Sequence, residues 1–236
     1  MYNHIAIIGS SGAIGSAFYA QLSMLYPLAI IHTFSRHDED YKNHHIIDYT
    51  DEKTIENAAK EAAKKDRFDF IIITTGILKI EPDIEPEKSL KDLSAHKFEA
   101  IFAANTIFPA LIAKHFLSHL NKENRAVFAV LSARVGSISD NRLGGWYAYR
   151  SSKTALNMIV KNASIEIGRR SPHAIIVSLH PGTVDSNLSK TFQSQVSKDK
   201  LFTSEYSAKK LIDVVNQLTP SDSGKCFAWD GQEIKP

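Results

Sequence analysis

The amino-acid sequence predicts an α/β fold, a parallel sheet covered by helices on both faces. Three observations lead there. Short apolar runs alternate with longer helical stretches along the chain. The run Ile71-Ile72-Ile73 is uniformly apolar, as a strand buried on both faces should be. A glycine-rich turn, Gly9-Ser10-Ser11-Gly12-Ala13-Ile14-Gly15, joins the first strand directly to the first helix.

Taken in order, Ile5–Ile8 is the first strand and Ala13–Leu25 the helix after the glycines. Strands Ala29–Phe34 and His45–Asp48 follow, then helix Glu52–Lys65 and strand Phe68–Thr74. The stretch Glu81-Pro82-Asp83-Ile84-Glu85-Pro86-Glu87 is acidic and broken by prolines, which reads as a solvated loop. Helix His96–Leu120 carries a stripe of Phe98, Phe102, Asn105, Pro109, Ile112 and Phe116, at three- and four-residue steps that make one buried face. Strand Ala126–Leu131 leads to helix Tyr147–Gly168, whose stripe is Tyr149, Lys153, Leu156, Val160, Ala163 and Ile167. Strand Ala174–Leu179, helix Glu205–Leu218 and strand Cys226–Trp229 complete the series. The Glu205–Leu218 segment reads as a surface helix. Residues 1–236 are enough for one sizeable core, and are expected to form a single domain that carries its own site.

Composition narrows the function classes. The chain is 43% hydrophobic and 23% charged, the balance of an ordinary globular protein. Its net charge is +2 without a dense Lys/Arg stretch, so neither nucleic acid nor an anionic membrane is an expected partner. No apolar run approaches the roughly 20 residues of a spanning helix, and the first residues lack the pattern of a signal peptide. Cys226 is the single cysteine, so no intrachain disulfide can form. A cytoplasmic location is the expectation.

The chemistry begins with Tyr149 and Lys153. Four residues apart on a helix, they share one face. A cation beside a phenol favours the phenolate, so Lys153 is expected to lower the Tyr149 pKa and let it exchange a proton near neutral pH. A lysine on an otherwise apolar stripe is easier to explain by a site than by a solvated surface. Tyr147 lies six residues before Lys153, on a different face. His115 and His119 have metal-ligand spacing, but the sequence offers no acidic third ligand nearby.

The glycine turn supplies the complementary half. Gly9, Gly12 and Gly15 permit a sharp turn and close backbone approach, and the helix N-terminus offers free N–H groups to a pyrophosphate. At the end of the second strand, Ser35 and Arg36 stand where an acidic residue would hold a ribose hydroxyl. NADP is therefore favoured over NAD. Asp48 and Tyr49 follow the next strand and either flank the adenine or cap the next helix.

Asn105 is polar in the middle of an apolar stripe, so its amide needs partners. Pro109, four residues later, has no N–H for the Asn105 carbonyl. The helix is expected to bend there and free that carbonyl to hold a water near the lysine. Trp146 and Phe192 line the substrate side or belong to the core.

Together these residues resemble the short-chain dehydrogenase/reductase family. The resemblance covers nearly the whole chain: the glycine turn, Asn105, the serine-bearing strand end, Tyr149 with Lys153, and His180-Pro181-Gly182-Thr183. The segments Leu131-Ser132-Ala133-Arg134-Val135-Gly136-Ser137-Ile138 and Trp146-Tyr147-Ala148-Tyr149-Arg150 are most similar to the C-factor-like subgroup. The resemblance implies a Rossmann-type, doubly wound parallel sheet of about seven strands, NAD(P) as cosubstrate, and a homodimer or homotetramer. It implies Tyr149 as acid/base and Lys153 as the holder of the nicotinamide ribose. Asn105 would hold a relay water. Gly9, Ser11, Gly12, Ile14, Gly15 and Gly76 would lie along the cofactor, and Pro181, Gly182, Thr183, Val184 and Ser186 beside the nicotinamide.

Three departures stand out. Ala13 occupies a position that is usually glycine, and of the family's Asn-Asn-Ala-Gly only Gly76 survives in Ile73-Thr74-Thr75-Gly76. The family's substrate-orienting serine is Ala133 here, so Ser132, or else Ser137, would take its place. The expected activity is hydride transfer between NADPH and a small or medium carbonyl or alcohol substrate. The second reading is an NADP-binding sensor or C-factor-like signalling protein with little turnover, which the missing serine favours.

Overall fold

The computed structural model describes residues 2–80, 85–190, 192, 193, 197 and 200–236. Its centre is an eight-stranded sheet in the order β10-β9-β6-β5-β4-β1-β2-β3. In chain order the strands are β1 His4–Ile8, β2 Ile30–Ser35, β3 His44–Ile46, β4 Phe70–Ile73, β5 Ala126–Leu131 and β6 Ala174–His180. A short parallel pair, β7 Thr183–Val184 and β8 Leu201–Phe202, stands apart from the main sheet. The edge is made by β9 Cys226–Ala228 and β10 Glu233–Ile234. All main-sheet pairings are parallel except β9 with β10. The eighth strand has two residues, too few for a period to register in the sequence.

Strand alternation builds two cores from the same segments. Ile5, Ile7, Phe70, Ile72, Val127 and Ala129 face one side. There they meet Phe18 and Leu22 of α1 (Ala13–Leu25) and, with them, Leu211 and Ile212 of α6 (Ser204–Gln217). Ala6, Ile8, Ile71, Ile73, Phe128 and Val130 face the other, with α2 (Glu52–Ala62), α4 (Phe108–Phe116) and α5 (Tyr147–Gly168). Each large apolar side chain removed from water contributes about 1.5–3 kcal/mol, and the central strands are buried on both faces because helices cover both. The α6 segment is therefore more than a surface helix: Ala208, Leu211, Ile212 and Val215 are core.

The strand order reverses between β1 and β4, so connections leave these neighbouring strands toward opposite faces. Such a reversal opens a crevice at the carboxyl ends of the strands. Gly9, Thr74 and the segment after β5 all lie at that end.

The long helix predicted over 96–120 is four pieces: α3 Ala95–Phe102, a π turn at Ala103–Ile107, α4, and a 3-10 turn at Leu117–His119. The Phe108 N–H reaches back to the Ala103 carbonyl, five residues away. The bend expected from Pro109 takes the form of this widened turn. Within the 25-residue helical stretch Ala95–His119, an 18-residue window has mean hydropathy 1.4, long and apolar enough by composition to cross a membrane, contrary to the sequence expectation. Here Asn105, Pro109, Ile112 and Phe116 are buried against the rest of the fold, the behaviour of a core helix.

Candidate active site

The glycine turn is set by tight packing. Gly9 has φ of 89°, a left-handed conformation that disfavours a side chain. A Cβ on Gly15 would lie 2.1 Å from the Gly9 carbonyl oxygen, so α1 approaches the turn more closely than any other residue allows. The Thr74 hydroxyl donates to the carbonyls of Ile8 and Gly9, both at 3.0 Å, and ties the turn to β4. No side chain caps α1, and its first turn holds no acidic residue. Its leading N–H groups therefore face the crevice without an intrahelical partner. Ala13 begins the helix at no steric cost.

A cleft of about 610 Å³ runs from this turn along the β1–β4 crevice, past Gly9, Ser11, Gly12, Arg36, Tyr49 and Gly76. Arg36 is exposed, with its guanidinium 5.9 Å from the centre of the Tyr49 ring. Burial pushes the Tyr49 phenol up to about 12. Ser35 is buried and donates to the His37 carbonyl at 2.6 Å, which shapes the strand end. The Asp48 carboxylate accepts from the Thr50 N–H at 2.8 Å and Thr50 hydroxyl at 2.7 Å, a local turn. Among these sequence-selected residues, Tyr49 lines the cleft and Asp48 does not.

The second half of the site is a cavity of about 170 Å³. Tyr149, Lys153, Ser132, Ala133 and Trp146 line it, with Ile14, Gly76, Phe192, Ser186 and the Pro181–Val184 segment. Lys153 is 2% exposed, and its ammonium donates to the Leu131 carbonyl at 3.0 Å. Burial pulls the Lys153 ammonium down to about 8 and pushes the Tyr149 phenol up to about 12. The ammonium stands 5.9 Å from the centre of the Tyr149 ring. In this state the expected lowering of the phenol is reversed, because desolvation of the phenolate outweighs the cation at that distance.

Asn105 is fully buried and satisfied. Its amide accepts from the Ile77 N–H and donates to the Ile77 carbonyl, both at 2.8 Å, and also donates to the Ser152 hydroxyl at 3.2 Å. The Thr106 hydroxyl donates to the Ser152 carbonyl at 2.9 Å. The π turn thus grips α5 one residue before Lys153 and fixes the loop beyond Gly76.

The start of α5 has an unexpected support. Trp146 has φ of 50° and makes no side-chain cap. Instead the Glu87 carboxylate accepts from the Ala148 N–H at 3.3 Å, and the Glu87 carbonyl from the Trp146 N–H at 2.6 Å. Glu87 lies in a loop, as expected, but is 3% exposed, so the loop is not solvated at this residue. Residues 81–84 of that stretch lie outside the described residues. A carboxylate beside a helix N-terminus is stabilised by the unpaired N–H groups there. The sequence clue was faint: one acidic residue about sixty positions from the helix it caps.

Ser132 and Ser137 separate clearly. Ser132 lines the cavity, and its hydroxyl is buried with no described partner. Ser137 lies off the cavity; its hydroxyl accepts from the Asp140 N–H at 3.1 Å within a turn. His180 and Thr75 also line the cavity, and each has a buried polar atom without a described partner. Burial, reinforced by Arg134, holds His180 down to about 4, so its ring is neutral at physiological pH. Clustered buried polar atoms without partners mark a place shaped for a ligand. Away from the cavity, an acid does approach one of the two histidines: Glu52 accepts from His115 at 2.7 Å, but Lys114 shares the carboxylate. Among the described residues, no group of three or more His, Cys, Asp or Glu could hold a metal ion.

Over residues 3–197 the chain matches the short chain dehydrogenase family. The protein belongs to that family and is an oxidoreductase of the short-chain dehydrogenase/reductase type. It is 30% identical over 186 residues to 1-hydroxy-2-glutathionyl-2-methyl-3-butene dehydrogenase of Rhodococcus sp., covering 78% of this chain and 76% of that one. It is 30% identical to C-signal of Myxococcus xanthus over 62% of this chain and 82% of the other, in line with the C-factor-like resemblance. In fold it is similar to an NADPH-bound carbonyl reductase from chicken fatty liver, with TM-score 0.81, 23% identity and 99% of each chain covered.

Proposed function

We propose that the protein is an NADP-dependent reductase of small or medium carbonyl compounds, with Tyr149 as the proton donor. The observation that carries this reading is a buried phenol and a buried ammonium sharing one cavity with the Pro181–Val184 segment. The glycine turn fits a dinucleotide: its packing leaves no room for a side chain at Gly9 or Gly15, and its helix end is uncapped. Arg36, exposed beside Tyr49 at the cleft's rim, suits a ribose 2′-phosphate and supports NADP over NAD.

NADPH, when bound, supplies the hydride that adds to the carbonyl carbon. The chain's residues handle orientation and the proton. A phenol held near 12 keeps its proton at neutral pH, so Tyr149 meets a carbonyl substrate as an acid. As the carbonyl oxygen gains charge, the phenolic O–H bond breaks and the proton passes to that oxygen. Lys153 stabilises the phenolate left behind, and its remaining N–H groups are available for ribose hydroxyls. The Ser132 hydroxyl, lacking a described partner, orients the carbonyl oxygen in place of the serine that Ala133 replaces. Asn105 fixes the loop and α5, and its backbone carbonyl is the candidate holder of a relay water. Ile107, Met158 and Ile165 are exposed apolar side chains along the π turn and α5, which supports self-association through these helices.

The test is NADPH oxidation with a panel of aldehydes, ketones and quinones. Wild-type turnover with a roughly thousandfold loss in Tyr149→Phe, at retained NADPH affinity, is the expected result. Tight NADPH binding with no turnover on any member would instead favour a sensor.

A further inference from the structure

Three histidines meet on one face of the sheet, away from the crevice. Ala6 of β1 pairs with His32 of β2, and Phe34 of β2 with His45 of β3. His4, His32 and His45 therefore run diagonally across three strands, on the face of Ala6, Ile8 and Phe34. The His32 Nδ1 stands 2.8 Å from the His45 Nε2, a hydrogen bond with room for a single proton. The His4 ring meets the His32 ring edge-on, with centres 5.0 Å apart, and stacks on Phe68 at 4.5 Å. His4 is 3% exposed, and its Nδ1 has no described partner. Little charge is at hand to balance a proton taken up there. Asp69 is committed to the N–H groups of Asn3 and His4 and to the Asn121 amide. Asp66 and Arg67, beside His4, are exposed. Asp38 and Glu61 share an open surface groove with His45, and Glu61 pairs with Lys64 at 3.5 Å. His44 is held by the Thr33 hydroxyl and the His37 carbonyl, both at 2.9 Å. Burial, reinforced by the other two rings, holds His32 down to about 4. Burial also lowers His4 and, with His44, lowers His45.

We propose that this histidine diagonal is an acid-operated latch on dinucleotide binding: protonation of the cluster frees the β3 edge and lowers cofactor affinity. The inference rests on the reading of the glycine-turn cleft as the dinucleotide site. The strands that carry the three histidines lead to Gly9, Arg36 and Tyr49, all of which line that cleft. β3 is the least secured of the three, a three-residue strand at the sheet edge paired only with β2. With the rings neutral, the His32–His45 bond ties β3 to β2. A second proton at that contact sets two N–H groups against each other and places like charges side by side. In an opened edge a histidine takes up its proton near its ordinary value of about 6.5, and His32 in the closed form only near 4. The closed form is thus fully favoured above that window and loses ground as pH falls through it. For His32 alone the open-to-closed ratio rises about thirtyfold between pH 7.5 and pH 5.

The experiment compares wild type with His32→Phe, whose ring keeps its place beside Phe34 and Phe68 but cannot be protonated. Hydrogen exchange of residues 42–49 in the cofactor-free protein reads the latch directly. At about pH 7.5 the two proteins should exchange alike. At about pH 5 wild type should exchange this segment roughly tenfold faster than the variant or more, with α6 unchanged between them. Calorimetric titration with NADP reads the consequence. Between the two pH values wild type should lose about threefold more affinity than the variant, or a greater factor. Comparing the two proteins cancels the titration of the 2′-phosphate itself, which falls near pH 6. Equal exchange at pH 5, or an equal loss of NADP affinity in both proteins, would overturn the latch. If His32→Phe does not fold, His45→Gln makes the same comparison, because its amide can still bond His32 and takes up no proton. Absence of NADP binding by wild type at pH 7.5 would defeat the dinucleotide reading separately, and exchange would still decide whether acid opens the edge.

Discussion

The two halves of the crevice handle charge in opposite ways. The half near the glycine turn keeps its cation, Arg36, at the surface, where water screens it and a phosphate can reach it. The half near α5 buries its cation, Lys153, against the Leu131 carbonyl and below a phenol. An exposed charge alters binding and costs the fold little. A buried charge burdens the fold, and here its value lies in chemistry. Substitutions in the two halves should therefore separate binding, turnover and stability.

The largest effect is expected at the buried end. Lys153→Met should lower turnover by about a hundredfold or more and at the same time stabilise the cofactor-free protein. A lysine lowered from 10.5 to about 8 carries a burial penalty on the order of 3 kcal/mol. The sign follows from the direction of the shift. Below about pH 8 the ammonium is charged in both folded and unfolded chains and the penalty is complete. It is relieved as pH rises toward 10.5 and the folded protein releases its proton first. The Met variant should thus melt higher than wild type at pH 7, with the gap narrowing above pH 8. A variant that melts lower at pH 7 would remove the contrast between the two halves.

At the exposed end, Arg36→Ser should weaken NADPH binding by roughly ten- to a hundredfold, the worth of a charge-assisted contact. NADH binding, kcat at saturation and melting temperature should hardly move. Equal weakening toward NADH and NADPH would assign Arg36 a role other than reading the 2′-phosphate. Fluorescence titration with both cofactors resolves this.

The smallest expected change concerns the support of α5. Glu87→Ala removes the carboxylate that accepts from the Ala148 N–H. Stability should fall by about 1–2 kcal/mol, as for loss of a helix cap, with a few-fold drop in turnover because Tyr149 lies in the first turn. Chemical denaturation and initial rates measure both. Unchanged stability would mean that water replaces the cap at no cost.

The sequence made some of this readable, for physical reasons. The glycine turn and the Tyr149–Lys153 pair depend on short-range spacing, and spacing survives in a linear chain. The buried stripe through Asn105, Ile112 and Phe116 was legible because helical periodicity reports one face. Pro109 signalled a bend, although its form as a π turn depends on how Asn105 and Thr106 grip α5. Long-range features stayed hidden: Glu87 capping α5, α6 closing the second core, and β10 pairing with β9. The Tyr149 phenol shows the same limit most sharply. A neighbouring cation is visible in the sequence, but the desolvation that outweighs it emerges only when α5 packs onto the sheet.

The most direct test is a crystal structure with NADP and an unreactive substrate analogue. The account predicts the nicotinamide in the cavity of Tyr149 and Lys153, the ribose hydroxyls on the lysine ammonium, and the 2′-phosphate at Arg36. A nicotinamide ring outside that cavity, or a lysine still turned to the Leu131 carbonyl without touching the ribose, would contradict it.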